Sequence, residues 1–153
     1  MVDPHRETEL RRAVEALYFG YRAFTALPDR LLAERGLGRP HHRILYFVRR
    51  EPGLSISELL AVLAVTKQAG HRPIKDLQTR GLIAVTPDPR DRRVRRLTVT
   101  ADGAALEARL TAAQIHLLDR AFDGLDPAAQ DHWFEVMDRL ARAPDQATSR
   151  TPA

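Results

Sequence analysis

The chain contains no cysteine among its 153 residues. That excludes a disulfide scaffold, a thiolate zinc site and a thiol-based redox sensor together. No apolar run approaches the ~20 residues that a membrane-crossing helix needs. In the first twenty residues Asp3, Glu7, Glu9 and Glu15 interrupt the apolar positions, so the stretch does not read as a signal peptide. A soluble, cytoplasmic protein with no membrane partner is the expectation. No serine, histidine and acid are spaced as a hydrolase motif, and no glycine-rich loop is available to cradle phosphates. Enzymatic activity is therefore not expected. Six histidines raise the question of a metal, but there is no His-Glu-x-x-His, and adjacent His41 and His42 would diverge by ~100° on a helix. No metal or cofactor is expected.

Lysine is scarce, and its placement is informative. Lys67 and Lys75 are the only two, and both fall in one cationic stretch. From Thr66 to Arg96 nine basic residues (Lys67, Arg72, Lys75, Arg80, Arg90, Arg92, Arg93, Arg95, Arg96) face three acidic ones (Asp76, Asp88, Asp91), a local charge of +6. Residues 1–65 hold ten basic and eight acidic groups, and residues 97–153 five and nine. Positive charge gathered in one segment is the footprint of a polyanion partner. Composition alone leaves a merely solvated surface as the alternative. With 44% hydrophobic residues the chain can build a sizeable core.

Periodicity orders the chain. Residues 8–27 place Leu10, Val14, Leu17, Tyr18, Tyr21, Phe24 and Leu27 at helical spacing, and Pro28 is expected to kink or interrupt that helix before Leu31-Leu32. A second helix opens with Pro40 in its first turn, turns Ile44, Leu45, Phe47 and Val48 inward, and stops at Glu51-Pro52-Gly53. Ser55 and Glu58 form a capping box with Leu54 and Leu59 as its staple, starting a brief helix to about Leu63. Thr66 caps the next helix, which runs to Arg80 and ends at Gly81. Two short helices joined by a tight turn make a helix-turn-helix. Two β-branched strands, Leu82–Thr86 and Arg95–Thr100, flank a turn-rich loop. A long helix follows from Ala101 and a last one from Asp126-Pro127, with Trp133, Phe134, Met137 and Leu140.

The fold class is thus mainly α with a small β-wing: a winged helix-turn-helix over residues 37–100, flanked by an N-terminal helical region (1–36) and C-terminal helices (101–142). Residues 143–153 read as a flexible tail. The flanking helices carry more apolar surface than one small winged domain covers. A homodimer, with these helices intertwined, is the simplest way to bury it, the alternative being packing on the same chain.

The motifs in this order resemble the MarR family of bacterial transcriptional regulators. Ser57-Glu58-Leu59, Thr66-Lys67-Gln68-Ala69 and Leu77-Gln78-Thr79-Arg80-Gly81-Leu82-Ile83 match its helix-turn-helix. Asp88-Pro89-Arg90-Asp91-Arg92-Arg93 with Leu97-Thr98-Val99-Thr100-Ala101-Asp102-Gly103 match its wing and the lead into its dimerisation helix. The likeness spans roughly residues 10–142. It implies a homodimer that binds pseudo-palindromic double-stranded DNA and is often released by a small aromatic or anionic effector.

Charge, helical position and this resemblance together nominate the DNA-binding residues. In the helix from Thr66 to Arg80, Ala69, Ile74 and Leu77 are expected to point inward. Gln68, His71 and Arg72 are then set for base edges, with Thr66, Lys67 and Lys75 for the backbone. In the loop, Arg93 suits minor-groove insertion, and Arg90 and Arg92 suit phosphates. Asp91 would repel phosphate, and is expected to brace the loop through a neighbouring arginine or backbone amides. Arg95 and Arg96 alternate on a strand, so at most one faces DNA. Pro73 departs from the family pattern, and Gly70 nearby further weakens the helix. Proline removes the bond to Ala69, so the helix is expected either to kink near Gly70 or to begin its regular part after Thr66. For an effector, Tyr18, Tyr21, Arg22, His42 and Tyr46 could line a junction pocket; ordinary core tyrosines and a surface arginine are the competing reading. A winged-helix module for protein–protein assembly, its basic wing meeting an acidic partner, is the second function consistent with these features.

Overall fold

The computed structural model describes residues 1–143. Most of the expected tail lies outside them. In order the elements are α1 (Pro4–Ala33), α2 (Arg39–Arg50), β1 (Leu54–Ser55), α3 (Ile56–Leu63), α4 (Lys67–Thr79), β2 (Ile83–Pro87), β3 (Arg95–Val99), α5 (Ala101–Phe122) and α6 (Pro127–Ala141). The described chain divides into two compact units, one of residues 1–116 and one beginning at Leu117.

The core of the first unit is aliphatic. Leu32 of α1, Ile44, Leu45 and Val48 of α2, Leu59 of α3, Leu77 of α4, Leu97 of β3 and Leu110 of α5 are essentially without solvent contact. Each helix of the winged portion is started by the chemistry its sequence carries. Gly38 caps α2 and Pro40 occupies its first turn. The capping box forms as spaced: the Glu58 amide donates to Ser55 Oγ at 3.1 Å and the Ser55 amide to Glu58 Oε2 at 2.8 Å. The Ser55 amide, followed by the Ser55 hydroxyl, favours the charged carboxylate and holds Glu58 below its ordinary pKa. Thr66 caps α4 by accepting from the Ala69 amide at 3.1 Å, and Gly81 takes the left-handed conformation after it, with φ +69°.

The sheet has order β1-β3-β2, all antiparallel. β2 and β3 form the wing hairpin, Ile83 opposite Val99 and Pro87 opposite Arg95. β1 was not expected from sequence. It pairs Leu54 with Leu97 and Ser55 with Arg96, so the residues that staple and cap α3 also close the sheet.

Three expectations are corrected. α1 runs unbroken through Pro28 and starts at Pro4 rather than near residue 8. Pro28 is buried with Thr25 and Leu32 on the core-facing stripe of α1, so packing outweighs the lost backbone bond. Ala69 is exposed, and Gly70 takes its place on the buried face with Ile74 and Leu77. The spacing 70, 74, 77 is one helical stripe, which residue 69 misses by ~100°. Finally, α4 is regular from Lys67 onward, so the late-start alternative does not describe it.

Helix α1 leaves its own apolar surface open: Leu10, Val14, Leu17, Tyr18 and Phe19 are all exposed, Val14 at 69%. In the second unit, α6 buries no residue, and Phe134, Val136 and Leu140 are exposed. Trp133 there packs edge-on to Phe122 and to Phe134.

Candidate nucleic-acid interface

Seated by Gly70, Ile74 and Leu77, α4 turns its polar residues outward: Thr66, Lys67, Gln68, His71, Arg72 and Lys75 are all exposed. Gln68, His71, Arg72 and Lys75 follow i, i+3, i+4, i+7 spacing and form one stripe. Apart from the capping bond of Thr66, none of their side chains has a hydrogen-bond or ion-pair partner among the described residues. Beside the stripe lies Ala69, a methyl-sized apolar spot suited to a thymine methyl. Sequence reasoning missed it because it assigned Ala69 to the core.

The other basic residues of the segment are divided between structure and solvent. Arg80 reaches back to the Arg35 carbonyl, in the turn between α1 and α2. Arg96 donates through Nε to Asp88 Oδ2 and through Nη1 to the Gly53 carbonyl at 3.0 Å. It locks the wing base to the turn after α2. Arg95 alternates with it and is exposed, so only one of the pair is free to meet a ligand.

Asp88 is the organising residue of the wing loop. Its Oδ1 accepts from the amides of Arg90 at 2.7 Å and Asp91 at 3.1 Å, the pattern by which a short acidic side chain imitates a turn. Its own amide donates to the Val94 carbonyl at 2.8 Å, closing the loop. The Arg96 guanidinium, followed by those two amides, holds the Asp88 carboxyl below its ordinary value. The aspartate preceding Pro89-Arg90 was the available sequence signal, overlooked because the reading stressed the arginines. Asp91 Oδ1 accepts from the Arg93 amide at 3.1 Å and from its Nε at 3.3 Å, beside an Arg93 side chain that is 93% exposed. Arg90 and Arg92 are exposed, and their side chains have no protein partner among the described residues. With Asp88 neutralised internally, the loop presents three arginines and one braced carboxylate to solvent.

A polar tether also reaches the back of α4. The Gly38 amide donates to His41 Nδ1 at 3.0 Å, which leaves Nε2–H to donate to Asp76 Oδ2 at 3.1 Å. Nothing in the spacing of residues 41 and 76 signals this contact.

The five effector residues are not gathered into one enclosed site. Tyr18 and Arg22 lie on the exposed part of α1, Arg22 stacking over Phe19 at 4.9 Å and Tyr18 at 6.0 Å. Tyr21 is exposed too, accepting from Arg43 Nη2 at 3.0 Å with Arg39 5.4 Å above its ring. Tyr46 accepts from Arg50 on the same helix, and His42 is buried. One groove lies beside Glu51–Leu54 and α3 and another beside Asp119–Asp123, and neither is lined by any of these five.

Burial holds the His42 imidazole below its ordinary pKa of about 6.5; Arg43 adds to this, while Glu107 and Asp29 oppose it. A histidine held neutral supports the fold fully above 6.5 and loses that support as pH falls below it, because the unfolded chain takes the proton more readily. Acidification from pH 7 to 5.5 is therefore expected to lower the melting temperature of the protein more than that of His42→Leu. Equal losses in the two proteins would show that His42 is not responsible.

Residues 35–94 match the model of the MarR family, covering the helix-turn-helix and most of the wing. Over 134 residues the chain is 40% identical to the HTH-type transcriptional regulator PetP of Rhodobacter capsulatus, a span of 88% of this chain and 81% of that protein. The chain belongs to the MarR family. It is a transcriptional regulator with a DNA-binding fold, not an enzyme. The crystal structure of MarR family transcription regulator SP03579 superposes with TM-score 0.76 at 25% identity, covering 90% of this chain and 91% of that one. Streptococcus pneumoniae FabT, solved in complex with DNA, superposes with TM-score 0.74 at 17% identity, covering 86% and 94%. The latter likeness is one of fold. As in other MarR structures, the fold is mostly helical with a three-stranded antiparallel sheet. No described helix is long and apolar enough to cross a membrane.

Proposed function

We propose that this MarR-family regulator acts as a homodimer that represses transcription by binding pseudo-palindromic operator DNA, and that a small aromatic or anionic effector releases it. The observation that carries the reading is the pairing of an outward polar stripe on α4, unoccupied by protein partners, with a wing whose arginines are left to solvent. In this reading Gln68, His71 and Arg72 meet base edges while Thr66, Lys67 and Lys75 hold the backbone. Arg93 enters the minor groove, Arg90 and Arg92 clamp phosphates, and Asp91 braces Arg93. Residues 37–100 form the reading module, and residues 1–36 with 101–142 form the dimer.

The exposed apolar residues of α1 and α6 support the dimer, since surface of this kind on two helices is buried most simply against a second copy. For the effector, the family resemblance and the cationic surroundings of Tyr21 are the support, with Tyr18, Arg22, His42 and Tyr46 as the other candidate groups.

Two measurements test the reading. Sedimentation equilibrium is expected to give twice the chain mass. Gel shifts with a promoter fragment are expected to resist unrelated competitor DNA while weakening steeply with salt. Binding that is equal on every sequence would exclude operator-specific repression. Absence of any DNA binding, with capture of an acidic protein partner instead, would favour the assembly module.

A further inference from the structure

Helix α4 is locally a poor helix. Gly70 is unfavourable within a helix relative to alanine, and Pro73 removes a backbone bond. Packing must therefore hold it, and the packing is close at one point. A Cβ added to Gly70 would stand 2.2 Å from Leu60 Cδ2 and 3.5 Å from Leu60 Cγ. Leu60, on α3, belongs to the buried core. One methyl of Leu60 thus fills the space that a side chain at position 70 would need.

We infer that the notch between Gly70 and Leu60 sets how deeply α4 seats on α3, and hence how far its outer face projects toward DNA. The inference rests on the reading of α4 as the base-reading helix. Gln68 and Arg72 lie two residues either side of Gly70, which at ~100° per residue puts them on the opposite side of the helix. A push at Gly70 therefore moves them directly outward. Gly70 and Leu60 are positioning residues: neither touches DNA, and both fix the residues that do. Helix α3 serves as the reference surface because its own start is locked by the capping box and by β1.

A volume-conserving swap tests this. Gly70→Val adds an isopropyl group on one side of the notch, and Leu60→Ala removes an isopropyl group from the other. Binding is measured to a duplex that the wild-type protein selects from random DNA, to its single-base variants, and to an unrelated duplex, with circular dichroism reporting the folded fraction. Gly70→Val is expected to weaken the selected duplex by about 5- to 150-fold, the worth of one bidentate base contact, and to reorder the base preferences. The unrelated duplex, held by the wing, should lose much less. A simple loss of folded protein would weaken all duplexes alike and leave the order of preference intact. The Leu60→Ala/Gly70→Val swap should restore the wild-type order.

Wild-type affinity and base preference in Gly70→Val would overturn the inference, as would a swap variant no better than Gly70→Val. If Gly70→Val does not fold, the swap alone decides, by whether it recovers the wild-type base preferences. A wild-type protein that enriches no sequence defeats the α4 reading itself, and this inference with it.

Discussion

Simultaneous replacement of Arg90, Arg92 and Arg93 by alanine in both protomers is expected to reduce operator affinity on the order of 1,000-fold at physiological salt. The estimate follows from counterion release, at about 0.9 log units of affinity per log unit of salt for each neutralised phosphate. Two phosphate clamps, Arg90 and Arg92, lost from each of two protomers should therefore also flatten the log–log salt slope by roughly 3.6, which is the sharper readout because it counts charges rather than stability. Fold should be unaffected. The three guanidinium groups are at the surface, and the loop is shaped by Asp88 through backbone amides that alanine retains. The corresponding change at Arg96 would not be comparable, since Arg96 ties Asp88 to Gly53 and its removal loosens the wing base. A triple variant with unchanged slope would mean that the wing arginines do not meet the phosphate backbone.

Gly103→Ala is expected to be the most damaging single-methyl change. A Cβ there would lie 1.9 Å from the Leu82 carbonyl oxygen and 2.9 Å from its carbon, both backbone atoms that cannot rotate away. The contact sits where three elements are stitched together. Thr100 Oγ1 accepts from the Gly103 amide at 3.1 Å and donates to the Gly81 carbonyl at 2.6 Å, while the Thr100 amide donates to the Leu82 carbonyl at 3.1 Å. Adding the methyl must drive the start of α5 away from the turn between α4 and β2. Overpacking of this kind costs about 3 kcal/mol, equivalent to ~6–12 °C in melting temperature for a chain of this size. A Gly103→Ala protein melting within ~2 °C of the wild type would show that the junction yields easily.

The parts legible in the sequence were those with a local cause. Ser55-Glu58, Thr66, Gly81 and Asp126-Pro127 mark helix ends because the capping partner lies within three residues. The hairpin was legible because turn formers separate two β-branched runs. Features requiring distant partners were not. β1 is only Leu54–Ser55, too short for a period, and exists because β3 offers it a partner. Pro28 looked like a breaker because its burial against the core, which compensates for it, is a tertiary fact. Ala69 and Gly70 were exchanged for a related reason. An alanine is the usual inward residue, and only the position of Leu60 shows why the glycine is inside. The site divides in the same way. That the wing is basic was plain from composition, but which arginines are free depended on Arg96 finding Asp88 and Arg80 finding Arg35. Glu107, buried against Arg49 and Thr111 between α2 and α5, gave no signal as a lone acid on a helix.

In the proposed mode of action, two copies of α4 and its wing read a specific DNA sequence. Selection of bound duplexes from random DNA by the purified protein decides whether they do. The expected product is an inverted repeat whose half-site centres lie about one helical turn (~10 bp) apart, with Gln68→Ala and Arg72→Ala each relaxing the preference at particular base pairs. A pool that remains unenriched after repeated rounds, although the protein still binds DNA, would show that α4 and the wing do not read sequence.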